Sequence, residues 1–330
     1  MSNTYGDITP RTAAYAAAKM LDRAVPFMCM AKFGQQQPIP KNKTNTVKFR
    51  RYNAFQPNTT PLVEGVTPAP DTINSTDVTA TLAQYGRRIQ ISDVIADTHE
   101  DPVLNEYAEV MGELAGQTAE LIVFNVIKAG VNVLYAVGTT RATVNGVITS
   151  PILGRAIRQL KRQNTKVITK MLAGSDKVGT SPIRPAFVAF VHPDVQQDLE
   201  AIAGYKAVVE YGTVTPLGDN ELGSFKEIRF LQSTLYAPFL AAGVSGAVHL
   251  TNGGTGTGAC DVYPIVIVGM DAYATVSLAG ANAVTPIVVN PKPSDSDVLA
   301  QRGHVGFKMY GTACILNDAW MVRVEVAVTQ

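Results

Sequence analysis

His192 and Asp194 stand on either side of Pro193, where the apolar run "FVAFV" ends and the polar "VQQDLEAI" begins. An imidazole and a carboxylate at the mouth of a strand are the parts of a general base and its orienting partner. Such a pair serves a nucleophile held on a turn of its own. The strained G-x-S-x-G turn that would carry a serine is not in the sequence. The triplet also has a simpler use. Proline does not continue a central strand, and Asp194 is placed to cap a helix starting near Val195. The expected role of the corner is to end a strand and open a helix. A soluble enzyme using the His192–Asp194 corner or the 251–260 glycine-rich loop is the alternative.

The glycine run "TNGGTGTGAC" (251–260) is the other place where chemistry is suggested. A phosphate-cradling P-loop needs G-x-x-x-x-G-K-[ST], and no lysine follows these glycines. A dinucleotide fingerprint must open a helix, whereas this run leads into the β pattern "DVYPIVIVG". It reads as a loop between strands. Arg155, Arg158, Lys161 and Arg162 give one predicted helix a basic face, which is either solvated or turned to nucleic acid. A nucleic-acid-binding module on 155–162 is thus a further alternative. Cys29, Cys260 and Cys314 form no C-x-x-C pair, and His99, His192, His249 and His304 are far apart. Neither a disulfide scaffold nor a zinc site is expected, and no cofactor is implied.

The elements that would hold these residues are read from periodicity. "DPVLNEYAEVMGELAGQTAELIVFNVIKAG" (101–130) predicts a helix over 102–129, with Leu104, Tyr107, Met111, Leu114, Leu121 and Ile122 at helical spacing and Glu106, Glu109, Glu113 and Glu120 between them. At about 1.5 Å per residue it is a rod on the order of 40 Å. "TSPILGRAIRQLKRQNTK" (149–166) predicts a second helix capped by Ser150. "FKEIRFLQST", "DVYPIVIVG" and "AYATVSLAG" read as strands. "HVGFKMYGTACILNDAWMVRVEVAV" reads as two strands about a turn at Asn317–Asp318, and Asn145-Gly146 suggests a hairpin. The mixed order makes the class α+β.

Three segments have no use inside one subunit. Residues 1–45 read as an arm whose "FGQQQPIPKNKTNT" part finds nothing to pack on internally. "TVKFRRY" (46–52) and "TLAQYGRRIQIS" (81–92) alternate as strands, joined by a polar stretch with Pro57, Pro61, Pro68 and Pro70. Structureless loops longer than about 12–15 residues are uncommon in compact domains unless they serve a function or are disordered. The prediction is a long two-stranded projection that binds outside its own domain. The third is the over-long helix. A net charge of +1 over 330 residues gives no basic field for nucleic acid and little self-repulsion between copies. The start of the sequence lacks the order of a signal peptide, and no run approaches the roughly 20 apolar residues of a membrane span, so a soluble intracellular product without membrane contact is expected.

The order of these segments resembles tailed-phage major capsid proteins of the Hong Kong 97 type, closest to the group typified by coliphage N-four. "AFVAFVHPDVQQDLE" resembles a strand ending in His192-Pro193. "GSFKEIRFLQST" resembles a strand with Gly223, Arg229 and Phe230. "RGHVGFKMYGTACILNDAWMVRVEVA" resembles a C-terminal pattern with Gly306 and Lys308, then Asn317, Trp320 and Arg323. The resemblance implies an N-terminal arm (1–45), an extended loop (46–96), and a peripheral domain (97–150 and 291–330) around the spine helix. Residues 151–290 would be an axial domain. It further implies a structural protein without enzymatic activity, forming hexamers and pentamers of an icosahedral shell around double-stranded DNA held non-specifically. Such a virion is assembled in the host bacterial cytoplasm, with portal and decoration proteins as partners. The archetype has a long scaffolding segment, for which the short arm leaves no room, so a separate scaffolding protein is expected. The archetype also cross-links through a loop lysine. Residues 53–77 contain none, Lys41, Lys43 and Lys48 lying at or before the base of the loop, so no such link is expected. On this reading Phe55, Leu62, Val63 and Val66 make intersubunit contacts, and Arg50, Arg51, Arg87 and Arg88 pair with charges on a neighbour.

Overall fold

A helical period needs a surface to bury its stripe against, and two sheets supply it. The structure, a computed structural model, describes residues 29–53, 55–94, 103–173, 179–212, 214–244, 259–278, 284–289, 298–299 and 301–329. The proposed cap Asp101-Pro102, most of the 251–260 glycine run, His99 and His249 lie outside the described residues, as does the arm up to residue 28. The helices are α1 (Val103–Ile127), α2 (Ser150–Arg162) and the short α3 (Gln196–Glu200). In chain order the strands run β1 (Gln35–Ile39), β2 (Thr46–Tyr52), β3 (Ser75–Thr81), β4 (Ala83–Ser92), β5 (Val133–Tyr135), β6 (Ile168–Ala173), β7 (Gly179–Val191), β8 (Tyr205–Ala207), β9 (Glu221–Phe225), β10 (Ile228–Gln232), β11 (Tyr263–Val268), β12 (Tyr273–Leu278), β13 (Val284–Val289), β14 (Arg302–Ile315) and β15 (Met321–Val326).

An eight-stranded sheet follows the order β5-β15-β11-β7-β10-β9-β8, with β6 added to β7. Its central strands are buried on both faces, which is why "YPIVIV" and "FVAFV" are unbroken apolar runs rather than alternating ones. α2 covers one face with Ile152, Leu153, Ala156, Ile157 and Leu160. A five-stranded sheet is built on β14, which pairs β4 along Arg302–Gly311, β13 along His304–Met309 and β12 along Gly311–Ile315. α1 lies across one face of this sheet, Ala108, Met111 and Ala115 packing on Val305, Phe307 and Met309. Residues 106–127 are apolar enough to cross a membrane by length and composition alone, and here part of that apolar surface, including Met111, Ala115, Phe124 and Ile127, is buried against the sheets.

Several expectations change. Residues 29–39 are not an unpacked arm: Met30 and Ile39 are fully buried, and β1 pairs in parallel with β12. A local reading misses this because the partner lies over 230 residues along the chain. "FKEIRFLQST" makes two strands, β9 ending at Phe225 and β10 starting at Ile228, turned by Lys226 at φ 54°. The α2 cap is Thr149, with Ser150 already helical. Asn145-Gly146 turns no hairpin among the described residues; a 3-10 turn at Arg141–Thr143 precedes it. The two C-terminal strands do not pair with each other, β14 and β15 belonging to different sheets.

Glu120, one of the four glutamates between the apolar positions of this helix, is 1% exposed. Its Oε1 accepts hydrogen bonds from the Met30 N–H at 2.9 Å and the Tyr236 hydroxyl at 2.6 Å, and its Oε2 accepts one from the Cys29 N–H at 3.1 Å. The Tyr273 hydroxyl donates to the Met30 carbonyl at 2.5 Å. One carboxylate thus ties the segment entering the body to α1 and to the large sheet's far loop.

Candidate assembly interface

β2 and β3 form a two-stranded ribbon of their own, antiparallel from Thr46 opposite Thr81 to Tyr52 opposite Ser75. Alternation sets which side is wet. Val47, Phe49, Val78 and Ala80 face the body and meet Ile39, Ala274, Val276 and Cys314. On the other side Arg50 faces Asp77 across the ladder, Nε to Oδ1 at 2.8 Å and Nη2 to Oδ2 at 3.0 Å. That hydrogen-bonded pair holds the Asp77 carboxyl below its ordinary value. Being exposed, it fixes register more than it adds stability.

The ladder ends where the Asn53 N–H donates to the Asn74 carbonyl at 2.9 Å. Every residue from 55 to 74 is exposed. Phe55 is 53% exposed, Leu62 75%, Val63 69% and Val66 63%, and Tyr52 and Ile73 join them at 65% and 61%. The stretch has one ordered turn, the Val66 N–H donating to the Val63 carbonyl at 3.2 Å, with Gly65 at φ 77°. A positive φ at the third turn position is the glycine requirement of a type II turn. Scattered exposed aliphatics are ordinary. Six at the end of one projection, none of them covered among the described residues, form an exposed apolar surface.

The predicted second strand of this ribbon is shifted. Its partner strand is 75–81, so 83–92 is free to join β14 in the body. Arg87 and Arg88 therefore sit on β4, opposite Phe307 and Gly306, rather than at the base of the projection. Arg50 is engaged within the ribbon, and Arg51 lies half-buried on the side facing the body.

The motif residues have structural work. Arg323 bridges Glu325 at 2.8 Å and donates to the Lys128 carbonyl and, at 3.0 Å, to that of Gly130. It thereby satisfies the backbone just past the end of α1. Arg141 grips the same Glu325 at 2.7 and 2.8 Å. Arg229, beside the fully buried Phe230, holds Glu221 at 2.6 and 2.7 Å, and Gly223 lets the Lys206 backbone approach β9. Asn317 caps the 3-10 turn to Trp320 by accepting from Ala319, and the Trp320 indole donates to the Gln163 carbonyl at 3.3 Å. Gly306 and Lys308 lie on β14.

The His192–Asp194 corner turns out to be a turn. His192 Nδ1, rather than Asp194, caps it, accepting from the Asp194 N–H at 3.3 Å, and the helical segment begins at Pro193. Asp194 instead accepts from the Tyr263 hydroxyl at 2.6 Å. Burial lowers the His192 pKa against the opposing pull of Asp194. Arg155, Arg158 and Arg162 are exposed on α2, and Lys161 pairs with Glu227 at 2.6 Å. Among the described residues no group of histidine, cysteine and carboxylate side chains is placed to hold a metal ion.

Residues 75–228 match a family model described as phage capsid protein. No curated protein matches the chain. Among solved structures, the capsid of Ralstonia phage GP4 superposes with a TM-score of 0.66 at 12% identity, covering 91% of this chain and 90% of that one. The cyanophage Pam1 capsid does so at 0.58 and 15%, covering 93% and 92%. The holo-SrpI encapsulin complex of Synechococcus elongatus PCC 7942 does so at 0.53 and 12%, covering 100% and 92%. The chain has the Hong Kong 97-like fold of phage capsids.

Proposed function

We propose that this chain is a major capsid protein, many copies of which close into the shell of a phage head. The observation that carries the reading is the exposed ribbon tip: among the described residues nothing covers the apolar side chains of 55–74, and a second copy supplies that surface. The encapsulin likeness means that the fold alone does not fix the contents of the shell. The phage-capsid match over 75–228 favours a genome. The finer reading is of hexamers and pentamers joined through residues 151–290, enclosing double-stranded DNA. The chain is of the N-four-like group and has no catalytic role. A separate scaffolding protein, a portal and decoration proteins complete the particle, which is built in the bacterial cytoplasm. Ring contacts of this kind are heterologous, unlike surfaces meeting around a closing rotation.

The test is the size of the purified chain. Sedimentation should show ring-sized or megadalton assemblies, and in the virion these should protect double-stranded DNA from nuclease. A compact 35.2 kDa monomer at all concentrations overturns the reading.

The shell is held by non-covalent contacts. Lys48 lies within β2, and residues 53–77 offer no lysine to form an isopeptide link near the tip. Boiled particles should therefore run on a denaturing gel as single 35.2 kDa chains. A ladder of multiples resistant to reductant contradicts this.

A further inference from the structure

The face of the five-stranded sheet turned away from α1 carries an open groove, and its chemistry matches the tip of the ribbon. Directly paired residues of antiparallel strands share a face. Arg88, Gly306 and Ile287 therefore form one row across β4, β14 and β13, and Gly86 with Lys308 lies in a neighbouring row. A Cβ at Gly306 would meet the Arg87 carbonyl, and one at Gly86 would come 2.8 Å from the Phe307 carbonyl, so the floor carries no side chain at these two positions. Ile287 and Val289, 41% and 47% exposed, form an aliphatic wall. Arg88 stands across from it, with Lys308 on the floor strand. Neither cation has an ion pair among the described residues, and no carboxylate lines the groove.

The tip has the opposite character. Residues 53–74 contain no lysine or arginine and two carboxylates, Glu64 and Asp71. The Val63–Val66 turn presents Glu64 at its apex, with Leu62, Val63 and Val66 exposed beside it. Turn and groove are both uncovered among the described residues.

We propose that the Val63–Val66 turn of one copy seats in this groove on a second copy. Glu64 enters between Arg88 and Lys308, and Leu62, Val63 and Val66 lie along Ile287 and Val289. The inference rests on the shell reading and adds to it the receiving surface and its residues. Charge-assisted hydrogen bonds from the cations fix the register, and the two glycine positions admit the turn's backbone.

Charge exchange tests it. Glu64→Arg places like charges together and should lower the yield of closed particles at least tenfold. Arg88→Glu alone should do the same, and the two combined should restore at least half the wild-type yield. Both positions are exposed, so each unassembled variant should melt at the wild-type temperature. As an independent measurement, Glu64→Cys with Ile287→Cys should give interchain disulfides in assembled particles, read as dimers and higher ladders on a non-reducing gel. Wild-type yield from Glu64→Arg, no rescue in the double variant, or no interchain disulfide in intact particles overturns the docking while leaving the shell reading in place. Failure of the wild-type chain to assemble removes the shell reading, and the docking with it.

Discussion

Replacing residues 53–74 by an Asn-Gly turn should leave a subunit that folds normally and makes no closed particle. The ribbon itself survives this change. Tyr52 and Ser75 are paired at its end, and a two-residue Asn-Gly connection is the turn whose twist suits such a pair. Nothing in 55–74 is buried, so the subunit loses no core and its melting temperature should hold within about 2 °C. Assembly loses the whole projecting contact. Fully burying an aliphatic or aromatic side chain is worth about 1.5–3 kcal/mol. Five such partly exposed side chains, Phe55, Leu62, Val63, Val66 and Ile73, are removed per subunit. The effect repeats at every loop in a shell, so the expected outcome is all-or-none. Circular dichroism of the subunit and negative-stain microscopy of the assembly reaction measure the two halves separately. Normal particles from the shortened chain would show that the tip is dispensable.

The second large effect concerns Glu120. Glu120→Ala should destabilise the unassembled subunit by about 3–5 kcal/mol, because it leaves two backbone N–H groups and the Tyr236 hydroxyl unpaired inside the protein. The same carboxyl should give the subunit a distinctive pH profile. Burial raises its pKa from 4.5 to about 7, against the lowering effect of the Tyr236, Met30 and Cys29 hydrogen bonds and of Lys32. Between those two values the folded chain keeps a proton that the unfolded chain has released. Stability contributed by this group therefore falls as pH rises from about 4.5 to 7 and is level above. The total is about 3 kcal/mol, at 1.36 kcal/mol per pKa unit. Urea melts at intervals from pH 5 to pH 8 should show that decline, and Glu120→Gln should flatten it. Identical slopes in the two proteins would mean that another group titrates there. The hydroxyls of Tyr236 and Tyr273 and the Cys29 thiol around it are all pushed upward by burial and stay protonated across this range.

Glu120 also marks the limit of a sequence reading. On a helical wheel it is one of four glutamates spaced along α1. Nothing local separates it from Glu106, which is exposed. Its partners Cys29 and Tyr236 lie 91 and 116 residues away, and only the folded chain brings them to it. The groove over Gly306 was hidden for the same reason. Gly306 and Lys308 were singled out as a pattern, but Gly86, Arg88 and Ile287 become their neighbours only through pairing across three strands.

What the amino-acid order determined by itself was whatever depends on near neighbours. The 3.6-residue period gave α1 to within a few residues, Pro151 marked the start of α2, and Pro193 ended β7 and opened a turn. Proline content and the absence of any apolar period showed that the stretch past Tyr52 has no inner face, and all of 55–74 is exposed. The tertiary structure alone decided which strands meet. Alternation tells a strand which side is buried but carries no address for its partner. "STDVTAT", of which 75–77 read as loop and Thr81 as the start of the next strand, thus took the place beside β2, and "AQYGRRIQIS" went to β14. The same choice placed β1 on β12 and sent β14 and β15 to separate sheets. Backbone hydrogen bonds are alike at every residue, so pairing is settled by the side chains that the whole fold brings together.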